Sequence, residues 1–143
     1  MSKPVTRSIE IAAPVPRVME VISDLENTER WANEAKSAKV TEHDAQGRPS
    51  KIDVTLGAIG FTTTSTYAVS YGDASVTLTF VAGKLIEEST IAYTIHDEGD
   101  GRSRVDMSST MEVNVPVPQW GLQRAMGSSA EKNLASIKRD AER

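Results

Sequence analysis

The sequence predicts an α+β domain in which a curved antiparallel sheet wraps round one long C-terminal helix. Two observations carry that prediction. From Gln119 to Arg143, Leu122, Met126, Ala130, Leu134, Ile137 and Ala141 recur at helical spacing, while Arg124, Glu131, Lys138 and Glu142 take the far side. Upstream, short alternating segments are joined by turn-length links, which is the pattern of an antiparallel meander.

Each element has its own signal. Ser8 to Ala12 alternates polar and apolar residues as a half-buried first strand does. Ala13-Pro14-Val15-Pro16 follows, with proline where the start of a helix tolerates it best. Val18, Met19, Ile22 and Leu25 then make a short amphipathic helix ending near Asp24, and Asn27 or Thr28 caps a second brief helical turn holding Trp31. Lys39 to His43 reads as a strand, and Asp44 to Pro49 as a turn. Ile52, Val54 and Leu56 alternate with Lys51, Asp53 and Thr55 as strand residues do. Gly57 and Gly60 bracket a tight connection to Phe61–Tyr71, whose threonine run favours sheet. Gly72-Asp73 leads into Ser75–Val81, and Gly83-Lys84 into Leu85–His96. Asp97-Glu-Gly-Asp-Gly101 is the strongest turn signal, and alternation from Val105 to Val115 marks a long last strand. Pro116 and Pro118 punctuate the approach to the long helix, and Lys138, Arg139 and Arg143 oppose the negative end of its dipole.

Composition bounds the function. The 143 residues make a single domain, residues 1–143, able to bury roughly 70% of its unfolded surface. A net charge of −4 gives no electrostatic reason to expect nucleic acid, and 5% aromatic residues argue against a stacking platform for single strands. With no cysteine there is no disulfide, thiolate nucleophile or thiolate zinc site, which fits a reducing compartment. Met1 to Glu10 lacks a signal-peptide pattern, and no run approaches the ~18 apolar residues of a membrane span. The expectation is a cytoplasmic protein, monomer or homodimer, with no cofactor.

Ile9-Glu-Ile-Ala-Ala-Pro14, Val18-Met-Glu-Val-Ile-Ser-Asp24, Glu26 and Trp31 together resemble a known opening. It is that of the START-like, or helix-grip (SRPBCC), superfamily, in its polyketide cyclase/dehydrase and coenzyme-Q-binding-like branch. The sequence departs from the branch at Thr28-Glu29, where a Tyr-Pro pair often precedes the tryptophan. The resemblance implies a seven-stranded sheet gripping the C-terminal helix around a cavity, with two short helices between the first and second strands. It carries over no individual catalytic residue.

Within that fold Trp31, Val54, Tyr67, Tyr93 and Met107 are candidates to line the cavity. So are Ser109, Met111, Trp120, Met126 and Ala130. Apolar linings with a few placed polar groups are typical of small-molecule sites, and methionine adapts to varied ligands. Three connections would form the rim, Gly57–Gly60, Val81–Ile86 and Val115–Trp120, with Ile59, Leu85 and Val117 where polar residues are usual. Gly127 within the long helix costs about 1 kcal/mol against alanine, and two explanations stand, close packing on the sheet or space for a ligand. By the second, Ala130→Phe fills the cavity and leaves a folded protein.

Catalytic signals are weak. His43 and His96 sit at strand ends beside Glu42, Asp44 and Asp97, where a solvated histidine is the ordinary outcome. Two separated histidines without cysteine give no metal cluster. Glu87 shares a strand face with Ser89, Ile91 and Tyr93, and solvation is its usual state. Ser65, Ser109 and Tyr67 offer hydroxyls that orient a ligand, but serine without a base is no nucleophile. The leading expectation is a carrier or sensor for a hydrophobic small molecule such as a lipid, quinone or polyketide. A polyketide cyclase or dehydratase acting in the same cavity is the alternative, and an interaction or dimerisation module the third.

Overall fold

The structure, a computed structural model, describes residues 3–25, 35–58 and 61–143. Its elements run β1 (Val5–Ile11), α1 (Val15–Ser23), β2 (Ala35–His43), β3 (Pro49–Ala58), β4 (Phe61–Gly72), β5 (Ser75–Gly83), β6 (Ile86–Gly99), β7 (Arg102–Val113) and α2 (Gln119–Ala141). The sheet has seven strands in the order β1-β7-β6-β5-β4-β3-β2, with every pairing antiparallel. Strands β2 to β7 form the expected meander, and β1 returns to lie beside β7. Between β1 and β2 the described residues form one short helix rather than the two expected. The second turn, with Trp31, falls in residues 26–34, outside the described residues.

Strand ends differ from expectation in instructive ways. Strand β1 begins at Val5 rather than Ser8, because Val5 to Ser8 pair in register with Ser109 to Asp106. Strand β2 likewise starts at Ala35 rather than Lys39, supported by the β3 ladder rather than by any apolar pattern of its own. The β6–β7 turn narrows to its glycines: Gly99, Asp100 and Gly101 all take positive φ (82°, 54° and 74°). The Asp97 carboxylate accepts the Gly99 N–H at 2.8 Å, so strand pairing continues to Gly99.

One face of the sheet is inward. Along β4, residues 63, 65, 67 and 69 are buried and alternate with exposed or half-buried ones, as the two-residue period of a strand requires. Helix α2 lies against β1, β7 and α1, and all six residues of its apolar stripe are buried. Pro118 opens α2 with its carbonyl accepting the Gly121 and Leu122 N–H groups, and its ring fits an extended residue before a helix. At the far end Arg17 of α1 donates to the carbonyls of Asp140 (2.9 Å) and Ala141 (3.4 Å), meeting the negative end of the helix with a cation.

The core divides in two. The main cluster joins α1 and the middle of α2 to the inner faces of β3 to β7, including Tyr67, Tyr93, Met107, Ala130 and Leu134. A smaller cluster of Val5, Leu122 and Met126, with Met111, Val113 and Val117 against it, fills the space under the first turns of α2. A Cβ at Gly127 would fall 2.5 Å from an Arg7 guanidinium nitrogen, the movable end of a long side chain, and 3.9 Å from a Val5 methyl. Arg7 crosses the helix at this point to pair with Glu131 at 3.2 Å.

Candidate functional site

The inner face carries a group of hydroxyls at the end of the sheet nearest the start of α2. Strand β4 contributes Thr63, Ser65 and Tyr67, β6 contributes Ser89, and β7 contributes Ser109, all buried. Parity places them there. Cross-strand partners share a face, so Ser65 faces inward with Val54 and Gly83, Tyr67 with Ile52 and Phe80, and Ser109 with Val5 and Ile91. Tyr67 reaches across β5, its ring edge-on to Phe80 (centroids 6.0 Å apart, 78° between planes), and its hydroxyl donates to Ser89 Oγ at 3.1 Å. Ser65 is 1% exposed, and its Oγ has no hydrogen-bond partner among the described residues. A buried polar atom without a partner is rare enough to require a reason.

Deeper in, Tyr93 of β6 is hydrogen-bonded by Asn133 of α2, which ties helix to sheet through a buried polar pair. Burial raises the Tyr93 hydroxyl well above its ordinary value, the Asn133 bond opposing in part. Burial also raises Tyr67, with the Ser89 bond acting the other way. Both phenols are therefore neutral at physiological pH. The buried polar side chains of the described residues are otherwise Ser103, which donates to the Ala13 carbonyl at 2.7 Å, and Asp140 at the far end of α2. Asp140 lies 3.5 Å from Arg139 and 3.4 Å from Arg143. The hydroxyl-bearing end thus holds no buried charge among the described residues.

The candidates read from the sequence separate into groups. Val54, Tyr67, Tyr93, Met107 and Ala130 meet in the main core, and Ser109 is buried on the same face. Met111 and Met126 meet in the smaller cluster with Val117. Leu85 is half-buried, and its carbonyl accepts the Asn114 N–H (3.1 Å) while Lys84 accepts the Asn114 side-chain amide (2.8 Å). These bonds tie the Val81–Ile86 connection to the residue that precedes Val115–Trp120. Trp120 is 70% exposed and Val81 50%, the two large apolar residues standing out from the described surface. Trp31 and Ile59 lie outside the described residues.

Three inward polar residues were missed. Thr63 and Ser89 were legible by parity. Asn133 sits one residue before Leu134 on the apolar stripe, a polar residue where helical spacing demands burial. Glu87 is exposed, because a register shift between Ile86 and Glu88 turns it outward while Ser89 stays in. His96 is on the outer face and pairs with Asp106 rather than Asp97, its Nε2 2.9 Å from Oδ2. Ser8 donates to Asp106 Oδ1 at 2.6 Å and Arg104 at 3.1 Å. The Ser8 bond leads in holding that carboxyl below its usual range, with Arg104 assisting. The order is Ser–Asp–His, so the serine touches the carboxylate and not the imidazole. A histidine that does not reach the hydroxyl cannot activate it. No group of three metal-ligating side chains comes together among the described residues.

A seven-stranded antiparallel sheet packed against a long C-terminal helix is the helix-grip, START-like architecture. Residues 3–142 match the polyketide cyclase/dehydrase and lipid transport family, and the chain belongs to it. The fold is similar to that of a START superfamily protein from Mycobacterium smegmatis (21% identity, 97% of each chain, TM-score 0.89). It is also similar to the Zhui aromatase/cyclase from Streptomyces sp. R1128 (11% identity, 99% of this chain and 94% of that one, TM-score 0.85). A protein from Thermus thermophilus superposes equally well (19% identity, 97% of each chain, TM-score 0.85). No match is found among curated protein sequences. Among the described residues no helix is long and apolar enough to cross a membrane.

Proposed function

We propose that this chain binds a hydrophobic small molecule of lipid, quinone or polyketide type between the inner face of the sheet and α2, as a cytoplasmic carrier or sensor. The observation that carries the reading is the set of uncharged hydroxyls of Thr63, Ser65, Tyr67, Ser89 and Ser109 buried among the apolar residues of the inner face. Few placed polar groups on an apolar wall orient a ligand without requiring it to be charged. The lean of α2 toward β1 and β7 supports the reading too, because β4 lies three strands away from β7 and its inner face is where the hydroxyls concentrate. Family membership adds lipid transport as a precedent.

A cyclase or dehydratase is the second reading, favoured by the inward Tyr67–Ser89 pair and by the fold shared with an aromatase/cyclase. It is the weaker of the two. Enolisation needs a group poised to exchange a proton near neutral pH, and the inward phenols are held neutral by burial. The histidine that pairs with a carboxylate, His96, is on the other face of the sheet.

Native mass spectrometry of the protein purified from its own host tests the proposal. A mass excess that disappears on denaturation is the expected result, and the released compound distinguishes a carried ligand from a substrate or product. An identical mass under both conditions would count against a carrier.

A further inference from the structure

The two edges of the sheet differ. At β1, side chains occupy backbone groups in and beside the strand. Arg7 donates to the Thr6 carbonyl at 2.8 Å, Gln123 donates to the Lys3 carbonyl at 2.9 Å, and Glu142 accepts the Ala12 N–H at 2.8 Å. Strand β2 ends the strand order on the other side and pairs with β3 alone. The side-chain hydrogen bond made within residues 37–43, from Thr41 to the Lys51 carbonyl at 3.3 Å, also runs toward β3. An edge strand keeps about half of its N–H and C=O groups pointing away from its neighbour, which makes it a template for a further strand. No described residue bonds to the outward edge of residues 37–43.

The charges of β2 say what fits that edge. Lys39 stands opposite Asp53, and Glu42 opposite Lys51. Lys51 and Asp53 share a face of β3 by parity, so Lys39 and Glu42 share the same face of β2. The register shift at Thr41 absorbs the odd residue between them. Glu42 pairs with Lys51 at 3.2 Å, and Asp53 accepts from Thr66 at 2.7 Å. Lys39 is exposed and makes no ion pair among the described residues. We infer that β2 pairs antiparallel with β2 of a second copy, about a two-fold axis between Val40 and Thr41, so that Lys39 of each copy faces Glu42 of the other. A two-fold contact needs a surface that complements itself, and a cation followed by an anion along one strand does so when the strand is reversed. Charges then alternate across the seam, from Asp53 to Lys39 to the partner's Glu42 to the partner's Lys51. Parallel pairing would set Lys39 against Lys39, with like charges opposed. A single strand edge buries less than a permanent interface does, so the dimer is reversible and depends on concentration.

Sedimentation equilibrium of the full chain, of Lys39→Glu, of Glu42→Lys and of an equal mixture of the two variants tests the pairing. The unaltered chain is expected to pass from monomer to dimer as concentration rises. Either variant alone opposes like charges at both symmetry-related pairs, and its dissociation constant is expected to rise about tenfold or more. In the mixture every pair is again of opposite sign, and dimers are expected to return. Both positions are exposed, and recovery in the mixture separates lost pairing from lost folding. A chain that stays monomeric at every concentration would overturn self-pairing and leave the edge to a foreign strand. Dimers undiminished in both variants would put the contact on another surface, and variants that remain apart when mixed would overturn the Lys39–Glu42 register.

Discussion

Replacing Ala130 by phenylalanine is expected to lower the unfolding free energy by about 1–3 kcal/mol, the usual cost of forcing extra carbon into a filled core. The sequence offered Ala130 as a small residue facing open space, in which case the ring would occupy the cavity and leave stability intact. The structure puts Ala130 in the main core cluster at 1% exposure, with Leu134 and Ile137 in the same cluster. A ring added there has to move neighbours from their rotamers. Urea denaturation of the variant beside the unaltered chain reads the difference directly. Unchanged stability coupled to lost ligand binding would show that space beside Ala130 is open after all.

Alkali is expected to destabilise the fold through its two buried phenols. Burial raises Tyr67 and Tyr93 above the ordinary tyrosine value of 10.0 in the folded chain. The sign follows from linkage: a folded-state pKa above the unfolded one means the folded chain holds its proton longer. The associated stability is complete below pH ~10 and is lost as pH rises from there toward the raised folded-state values, at about 1.4 kcal/mol for each unit of separation. Unfolding free energies measured at mildly and strongly alkaline pH should fall steeply. In Tyr93→Phe the slope should be shallower, since the phenol responsible for part of it is gone. A slope that Tyr93→Phe leaves unaltered would assign the alkaline loss to other groups.

Periodicity made most of the fold legible. The six apolar residues of the long helix were readable at 3.6-residue spacing and all six are buried. The alternation of β7 likewise separated Val105, Met107 and Ser109 from the outer face. What was not legible depends on pairing between distant segments. Arg7 of the first strand reaches over Gly127, a contact between segments far apart in the chain. His96 found Asp106 across a strand ladder rather than its neighbour Asp97. Glu87 and Ser89 share a parity in sequence, and a single register shift sent one to solvent and the other inside. The Tyr67–Ser89 bond spans an intervening strand, so no local spacing announces it. Composition identified the residue types of the site; the ladder decided which of them meet.

Entry of a hydrophobic ligand between the sheet and α2 is the central claim, and methionine methyl resonances report on that space. Met107 is on the inner face of β7, while Met111 and Met126 meet beneath the first turns of α2. Titrating isotopically labelled full chain with fluorenone should shift the Met107 and Met111 methyl signals in step with saturation, placing the ligand inside. Saturable binding that leaves Met107, Met111 and Met126 unmoved would put the ligand elsewhere on the protein and contradict that claim.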